Sequence, residues 1–357
     1  MNLALDMTEE GWKKWLGSRP AFVGKQILHW LFNKQVIDPS KFANISKEVR
    51  EDLQKDFCWQ PLTIDSVVNS DDGSSKVLLK TRDDHLIEMV VMPYEKRRTL
   101  CVSSQVGCRM GCTFCQTGKM GFKRNLSAGE ILAQLLLANE FLGDNHVTNV
   151  VFMGMGEPLD NFDNVVQACR VMLDERYFNL SKNRVTISTS GLVPQIIKLG
   201  EVLPVRLAIS LHSVDEKKRS DMMPVNRRYP LKDLKAALID YPASPRYGIT
   251  FEYVMIDGVN DSIADAKKLV SFLHGLKAKV NLIPMTPFPN HAMMASSESN
   301  MDKFQEYLTD RSIPAPIRRS RGADVSGGCG QLAAKREDQL HMDPRKVSKE
   351  RRGDTTH

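Results

Sequence analysis

From residue 99 onward, short apolar segments alternate with helical ones, and this alternation limits the folds open to the chain more than any other feature. Strand-like segments lie at 100–106, 147–153, 184–188, 206–211, 249–255, 279–283 and near Ile317. Helical patterns separate them at 128–142, 164–173, 192–199, 231–237, 263–276 and 301–308. Strands rich in β-branched residues and joined by helices run parallel and are buried on both faces, so the expected class is α/β, with the sheet closed or partly closed into a barrel. Six such units are fewer than the eight of a complete barrel. Ser127 and Glu130, at capping-box spacing, open the helix at 128. Ligands of such sheets gather at the carboxyl ends of the strands.

Residues 1–90 read differently. Trp12, Trp15 and Leu16, and then Ile27, Leu28, Leu31 and Phe32, recur at helical spacing within 9–16 and 24–33. A further helix is expected at 47–57, and strands at 75–81 and 85–92 flank a turn around Asp83 and Asp84. The expected organisation is a small N-terminal helical and hairpin unit at 1–90, a main domain at 91–340, and a mobile tail at 341–357 that has no apolar periodicity.

No apolar run approaches the eighteen residues of a membrane span and no signal-peptide pattern opens the chain, so a cytoplasmic protein is expected. Seven cysteines, unevenly spaced, argue for metal or thiol chemistry in place of a disulfide framework. Of 49 basic and 43 acidic side chains, residues 1–90 hold 12 and 14, leaving 37 against 29 beyond. The basic excess therefore lies with the cysteines, and a polyanionic partner or a merely solvated basic surface would each account for it.

Four cysteines fall between residues 101 and 115, and Cys108, Cys112 and Cys115 form C-x3-C-x2-C. Three thiolates in so short a loop can hold three irons of a [4Fe-4S] cube, with Gly107 and Gly111 allowing the turn. The fourth iron is then open to a chelating amine and carboxylate, as S-adenosylmethionine offers. A structural zinc with Cys101 as a fourth ligand is the alternative.

MGMGEP at 153–158 follows the second strand, where Gly156 lets backbone approach a ligand and Glu157 can accept from a ligand amine. STSG and SLH, with Ser188, Ser190, Ser210 and His212, end the next two strands and offer hydroxyls and an imidazole, though each could equally cap a turn. Cys329 stands in a Gly-rich basic loop, RSRGADVSGGCGQL, as a reagent thiol would; Cys58 and Cys169 lie in apolar surroundings and read as core. Cys101 and Cys329 are two thiols outside the iron-ligand triad, an arrangement suited to covalent catalysis closed by disulfide formation. Lys96, Arg97, Arg98, Lys123, Arg124, Arg227, Arg228, Arg318, Arg319 and Arg321 form short clusters suited to phosphate contact or to a solvated face.

Taken together, FVGKQILHWLF, CVSSQVGCRMGCTFC, FMGMGEPLDN, RVTISTSG, AISLHS, MPVN, NLIP and CGQL resemble the dual-specificity adenine-C2 RNA methyltransferases of the radical S-adenosylmethionine superfamily over nearly the whole chain. The resemblance implies a partial (β/α)6 barrel with an N-terminal accessory domain. It also implies a [4Fe-4S] cluster and two molecules of S-adenosylmethionine consumed per methylation of 23S ribosomal RNA or transfer RNA. It assigns the methyl-carrying thiol to Cys329, the resolving thiol to Cys101, a role at the substrate adenine to Glu88, and cofactor contacts to the region of Glu157, Ser188, Ser190 and Ser210. A covalent RNA intermediate, a reducing electron-transfer protein and a monomeric state belong to the same expectation.

Two positions depart from the family pattern. Gly327 and Gly328 replace an Ala-Ala pair before the reactive cysteine, which raises the entropic cost of ordering the loop. Thr286 stands where the family has asparagine, so one cofactor hydrogen bond is altered. A related enzyme group methylates C8 of the same ribosomal adenosine, but its sequences tend to carry GEA where this chain has Gly156, Glu157 and Pro158.

Overall fold

The computed structural model describes residues 1–203, 205–286 and 293–334, so the tail expected at 341–357 lies outside the described residues. Three helices come first: α1 (Glu9–Leu16), α2 (Phe22–Leu28) and α3 (Lys47–Asp56). Hydroxyls of Thr8 and Ser46 accept from the backbone N–H of Gly11 and Val49, satisfying donors that α1 and α3 would otherwise leave unpaired. The apolar spacing read from the sequence becomes a small core in which Trp12, Ile27, Leu31, Phe42 and Leu53 are buried, with Trp12 ring-packed at 4.9 Å on Phe57. A two-residue parallel pair, β1 (Asn2–Leu3) with β2 (Phe57–Cys58), ties the ends of this unit together.

The chain then runs through β3 (Leu62–Asn69), β4 (Ser75–Thr81), β5 (Leu86–Tyr94) and β6 (Arg97–Cys101). A loop containing β7 (Gln105–Gly107), α4 (Gln116–Lys119) and β8 (Phe122–Asn125) carries the cysteine triad. The expected helix–strand alternation follows as α5 (Ala128–Leu142), β9 (Asn149–Phe152), α6 (Phe162–Leu173), β10 (Val185–Thr189), α7 (Val193–Val202) and β11 (Arg206–Ser210). It closes with α8 (Glu216–Met222), α9 (Leu231–Ile239), β12 (Ile249–Met255), α10 (Ile263–Leu273), β13 (Ala278–Pro284) and α11 (Glu298–Thr309).

Nine strands form one sheet in the order β13-β12-β11-β10-β9-β6-β5-β4-β3. The six from β6 through β13 are parallel and make the partial barrel; β5, β4 and β3 continue it as an antiparallel wing. Residue 90 lies inside β5, so hydrogen bonding in the sheet runs through that point without a break. The segment near Ile317 makes one parallel bridge to Leu282 beside β13. Among the described residues, no helix is long and apolar enough to cross a membrane.

Register decides which side chains meet. Leu100, Val150, Ile187, Leu207, Phe251 and Val280 share one face of the parallel strands, and all are nearly inaccessible beneath the helices. Helix α5, apolar on most of its circumference, contributes Ile131, Leu132 and Leu135 to the same layer, each worth about 1.5–3 kcal/mol relative to an exposed position. Its capping box is present as expected, Ser127 accepting from Glu130 N–H while the Glu130 carboxylate accepts from Ser127 N–H. The opposite, concave face carries Cys101, Val151, Thr186, Ser188, Arg206, Ser210, Thr250, Glu252, Lys279 and Asn281, a polar interior for a barrel. That face holds the chemistry.

Candidate active site

The cysteine loop is fixed by its hairpin. Gly107 has φ +72°, and a Cβ there would lie 1.8 Å from the Gly121 carbonyl oxygen, so only glycine lets β7 and β8 pair this closely. Gly111 likewise has φ +65° between Cys108 and Cys112. Cys115 N–H donates to the Cys112 carbonyl at 3.2 Å, and Thr113 N–H to Met222 at the end of α8 at 3.0 Å. Arg109, stacked over Phe122, pairs with Asp160 at 2.9 Å, while Gln105 donates to Asp160 and Asn125 and accepts from Glu157 N–H.

Cys108, Cys112 and Cys115 open on one chamber at the carboxyl ends of the parallel strands. Gly156, Glu157, Ser188, Ser190, Ser210, His212, Glu252 and Cys329 line it with them. Burial and mutual repulsion push the thiols of the triad up, that of Cys108 to about 12. A bound cation reverses that cost, because a coordinating thiol is deprotonated outright. The donor set thus fits a metal centre. No three His, Cys, Asp or Glu side chains among the described residues converge as the ligands of one ion would.

Glu157 is buried, and burial pushes its carboxyl up. Its oxygens accept from the backbone N–H of Leu159 at 3.0 Å and of Ser190 at 2.8 Å, which leaves spare lone pairs toward the chamber. The glycines of MGMGEP answer to the protein's own backbone: a Cβ on Gly154 would meet the Val102 carbonyl at 2.6 Å, and one on Gly156 would meet Gln105 at 2.5 Å. Ser190 leaves its buried hydroxyl without a partner. Nδ1 of His212 accepts from Val254 N–H at 3.0 Å, and burial beside Arg219 holds the imidazole down to about 3, so it is neutral with its proton on Nε2. Thr286 follows β13 half-buried and is not among the residues lining the chamber.

Cys329 faces the chamber and is reachable through it, yet the surrounding protein pushes its thiol up to about 11. Cys101 ends β6 on the concave face, buried, and near enough that the charge of Cys329 helps raise its thiol further. Of the two thiols read as core, Cys169 is fully buried in α6 and Cys58 is half-buried in β2. The Cys329 loop is stitched down along its length. Asp324 accepts from Ser70 and Asp71, Asp72 accepts from Arg321 and Gly322, Gln116 N–H donates to the Gly330 carbonyl, and Thr117 donates to that of Leu332. Glu88 accepts from Ala333 and Ala334 N–H and lies 3.7 Å from Lys76.

Sequence reading passed over Arg219. Fully buried on α8, it donates to the carbonyls of Leu211, Ser190 and Ser210 and to Asn226, binding together the loops that follow β10 and β11. The MPVN motif that contains Asn226 was the available signal.

A parallel partial barrel with C-x3-C-x2-C in the loop after its first parallel strand is the architecture of radical S-adenosylmethionine enzymes, and residues 102–270 match the family described as the Radical SAM superfamily. Residues 1–58 match the ribosomal RNA large subunit methyltransferase N-terminal domain. A dual-specificity RNA methyltransferase RlmN from Syntrophobacter fumaroxidans is 45% identical over 91% of this chain and 95% of its own length. That from a Nitratiruptor species is 43% identical over 94% and 98%. The crystal structure of a radical SAM methyltransferase from Sphaerobacter thermophilus superposes with a TM-score of 0.90 at 41% identity, covering 94% of this chain and all of that one. The chain belongs to the family of dual-specificity RNA methyltransferases RlmN. It is an S-adenosylmethionine-dependent RNA methyltransferase, and its superfamily implies a [4Fe-4S] cluster.

Proposed function

We propose that this enzyme methylates C2 of an adenosine in 23S ribosomal RNA and in transfer RNA, through a methyl group carried by Cys329. The observation that carries the reading is the meeting of Cys329 and the triad thiols in one chamber, with Cys101 beside them.

Cys108, Cys112 and Cys115 would hold the cluster, and Gly156, Glu157, Ser188, Ser190, Ser210 and His212 would surround S-adenosylmethionine, with Thr286 at the margin. Together the bound groups supply a methyl donor and a hydrogen-abstracting radical, the reactivity that an electron-poor ring carbon demands. Cys329 takes the methyl group on sulfur and presents it to the base. Once its carbon is joined to C2, one electron would return to the bound redox group and the C2 proton would pass to solvent, restoring the ring; Cys101 sulfur, as thiolate, then attacks Cys329 sulfur, the S–S bond forms, the S–C bond breaks with its electron pair passing to carbon, and protonation completes the methyl group. Glu88 would act at the adenine after exchanging its contacts with Ala333 and Ala334. An electron-transfer protein would feed the cluster, cellular thiols would reopen the disulfide, and the enzyme would work as a cytoplasmic monomer.

The test is an anaerobic assay with methyl-labelled S-adenosylmethionine and both RNAs, read by nucleoside mass spectrometry. Label at C2 of adenosine is expected. Label at C8, or none in RNA, would overturn the reading.

A further inference from the structure

The concave face carries a second group of charged side chains that the chemistry above leaves idle. Arg206 stands level with Thr186, and Lys279 with Thr250, on the chamber side of the sheet. Alternation brings Arg97 to the same side, four residues before Cys101 in β6. Arg318 joins from the segment beside β13, its backbone N–H donating to the Leu282 carbonyl at 2.7 Å. These residues are far apart in sequence, and only the sheet assembles them.

They repel one another. Arg97 and Arg318 both disfavour charge on Arg206, and all three disfavour it on Lys279. Among the described residues none of the four has an ion-pair partner; Arg206 stacks on Tyr247 at 4.9 Å, and its buried Nε lacks an acceptor. The neighbouring carboxylate, Glu252, offsets part of this charge but is shared with Asn281, which donates to it at 2.8 Å. Other cations singled out by the sequence are occupied: Arg124 by Asp83 and Glu130, Arg319 by Glu298, Arg321 by Asp72. Like charges held together without ion-pair partners, Arg206 and Lys279 half-buried and Arg97 and Arg318 exposed beside them, raise the energy of the free protein and are relieved by an anion. The group borders the active chamber, since Arg318 acts on both Glu252 and Cys329, and Glu252 lines the chamber wall.

We propose that Arg97, Arg206, Lys279 and Arg318 form a binding site for RNA phosphodiester, taking the backbone next to the nucleotide whose base is held at Cys329. The proposal rests on the RNA-methyltransferase reading and adds to it where the strand passes. Two ends of the concave face then divide the work, base at the carboxyl ends of the strands and phosphate toward their amino ends.

The experiment measures binding of transfer RNA to the cluster-loaded protein across a salt series. Arg206→Gln with Lys279→Gln, and separately Arg318→Gln, should weaken binding and make the slope of log affinity against log salt shallower by roughly 0.7–0.9 for each phosphate contact removed. The charge-keeping pair Arg206→Lys with Lys279→Arg should hold the slope near that of the parent, as should Lys232→Gln on the outer helical layer. Slopes equal to the parent's in the neutral variants would overturn the proposal, and so would an equal loss in the charge-keeping pair, which would point to structure and not charge. If the parent protein itself bound no RNA, the methyltransferase reading would fail instead.

Discussion

Replacing Glu88 by Gln keeps the shape of the side chain and removes the charge that anchors the end of the Cys329 loop. In the native protein Glu88 accepts from Ala333 N–H at 2.8 Å and from Ala334 N–H at 3.1 Å, and its other oxygen lies 3.7 Å from Lys76 Nζ. Both side chains are almost completely buried. Opposite charges at that separation attract by about 4–5 kcal/mol at an effective dielectric of about 20, and removing them from water costs at least as much. The carboxyl is accordingly pushed up by burial in spite of the lysine. Hydrogen bonds to an ionised acceptor contribute about 1.5–3 kcal/mol against about 1 for a neutral one, so the substitution should loosen the loop by about 1–4 kcal/mol. A loss of about 2 kcal/mol is roughly a thirtyfold rise in the open population. Amide hydrogen exchange at Ala333 and Ala334, read by peptide mass spectrometry, should accelerate to that degree. Adding Lys76→Met should recover part of the thermal stability, because the buried ammonium no longer lacks a partner, yet leave that exchange fast. The pH response has a definite sign. A carboxyl whose folded value is raised above 4.5 contributes stability that is full below 4.5 and is lost as pH rises through the folded value, and this component should vanish in Glu88→Gln. A variant that folds like the parent and exchanges those two amides at the parental rate would refute the anchoring role.

Cys101→Ala should accumulate a protein–RNA crosslink, detected as a shifted band under denaturing electrophoresis; free methylated RNA at the parental multiple-turnover rate would remove its resolving role. Cys329→Ala should lose RNA methylation and retain iron, and loss of iron by elemental analysis would mean that a ligand had been taken for a nucleophile. His212 should show no protonation by nitrogen NMR until pH approaches about 3; since its folded value is depressed from 6.5, its contribution to stability is present above 6.5 and is lost as pH falls through that window. Gly328→Ala places a Cβ 2.6 Å from Gln331 Oε1 and 2.9 Å from Ser320 Cβ, so a cost of about 1–3 kcal/mol in thermal unfolding is expected; unchanged stability would show that the loop absorbs the extra carbon.

Much of the scaffold was legible because its signals are local. The span 249–255 became β12 unchanged, 128–142 became α5 unchanged, and the capping box at Ser127 formed as its spacing implies. What escaped was the structure whose reasons lie elsewhere in the chain. β3 was missed because a register shift between Ile64 and Ser66 breaks its alternation and most of its side chains remain accessible at the edge of the sheet. α8 was missed because EKKRSDM reads as surface, although Arg219 within it is fully buried on carbonyls supplied by other strands. Chamber residues were legible by motif and strand end; the partners of Glu88, more than two hundred residues away at Ala333 and Ala334, were not. Glu252 also carried no motif, and NLIP gave no sign that its Asn281 meets Glu252, since their pairing arises only from the register of β12 with β13.

The antiparallel wing has a consequence for anyone dividing this protein. The turn from Ser70 to Ser74 and the side chain of Glu88 grip the two ends of the thiol-bearing loop, so strands early in the chain complete a device built mostly from its far end. A hybrid joined at residue 90 would sever β5 and bring in a foreign set of grips, whereas a junction between β2 and β3, at 59–61, would exchange the helical unit and leave the clasp with its own sheet.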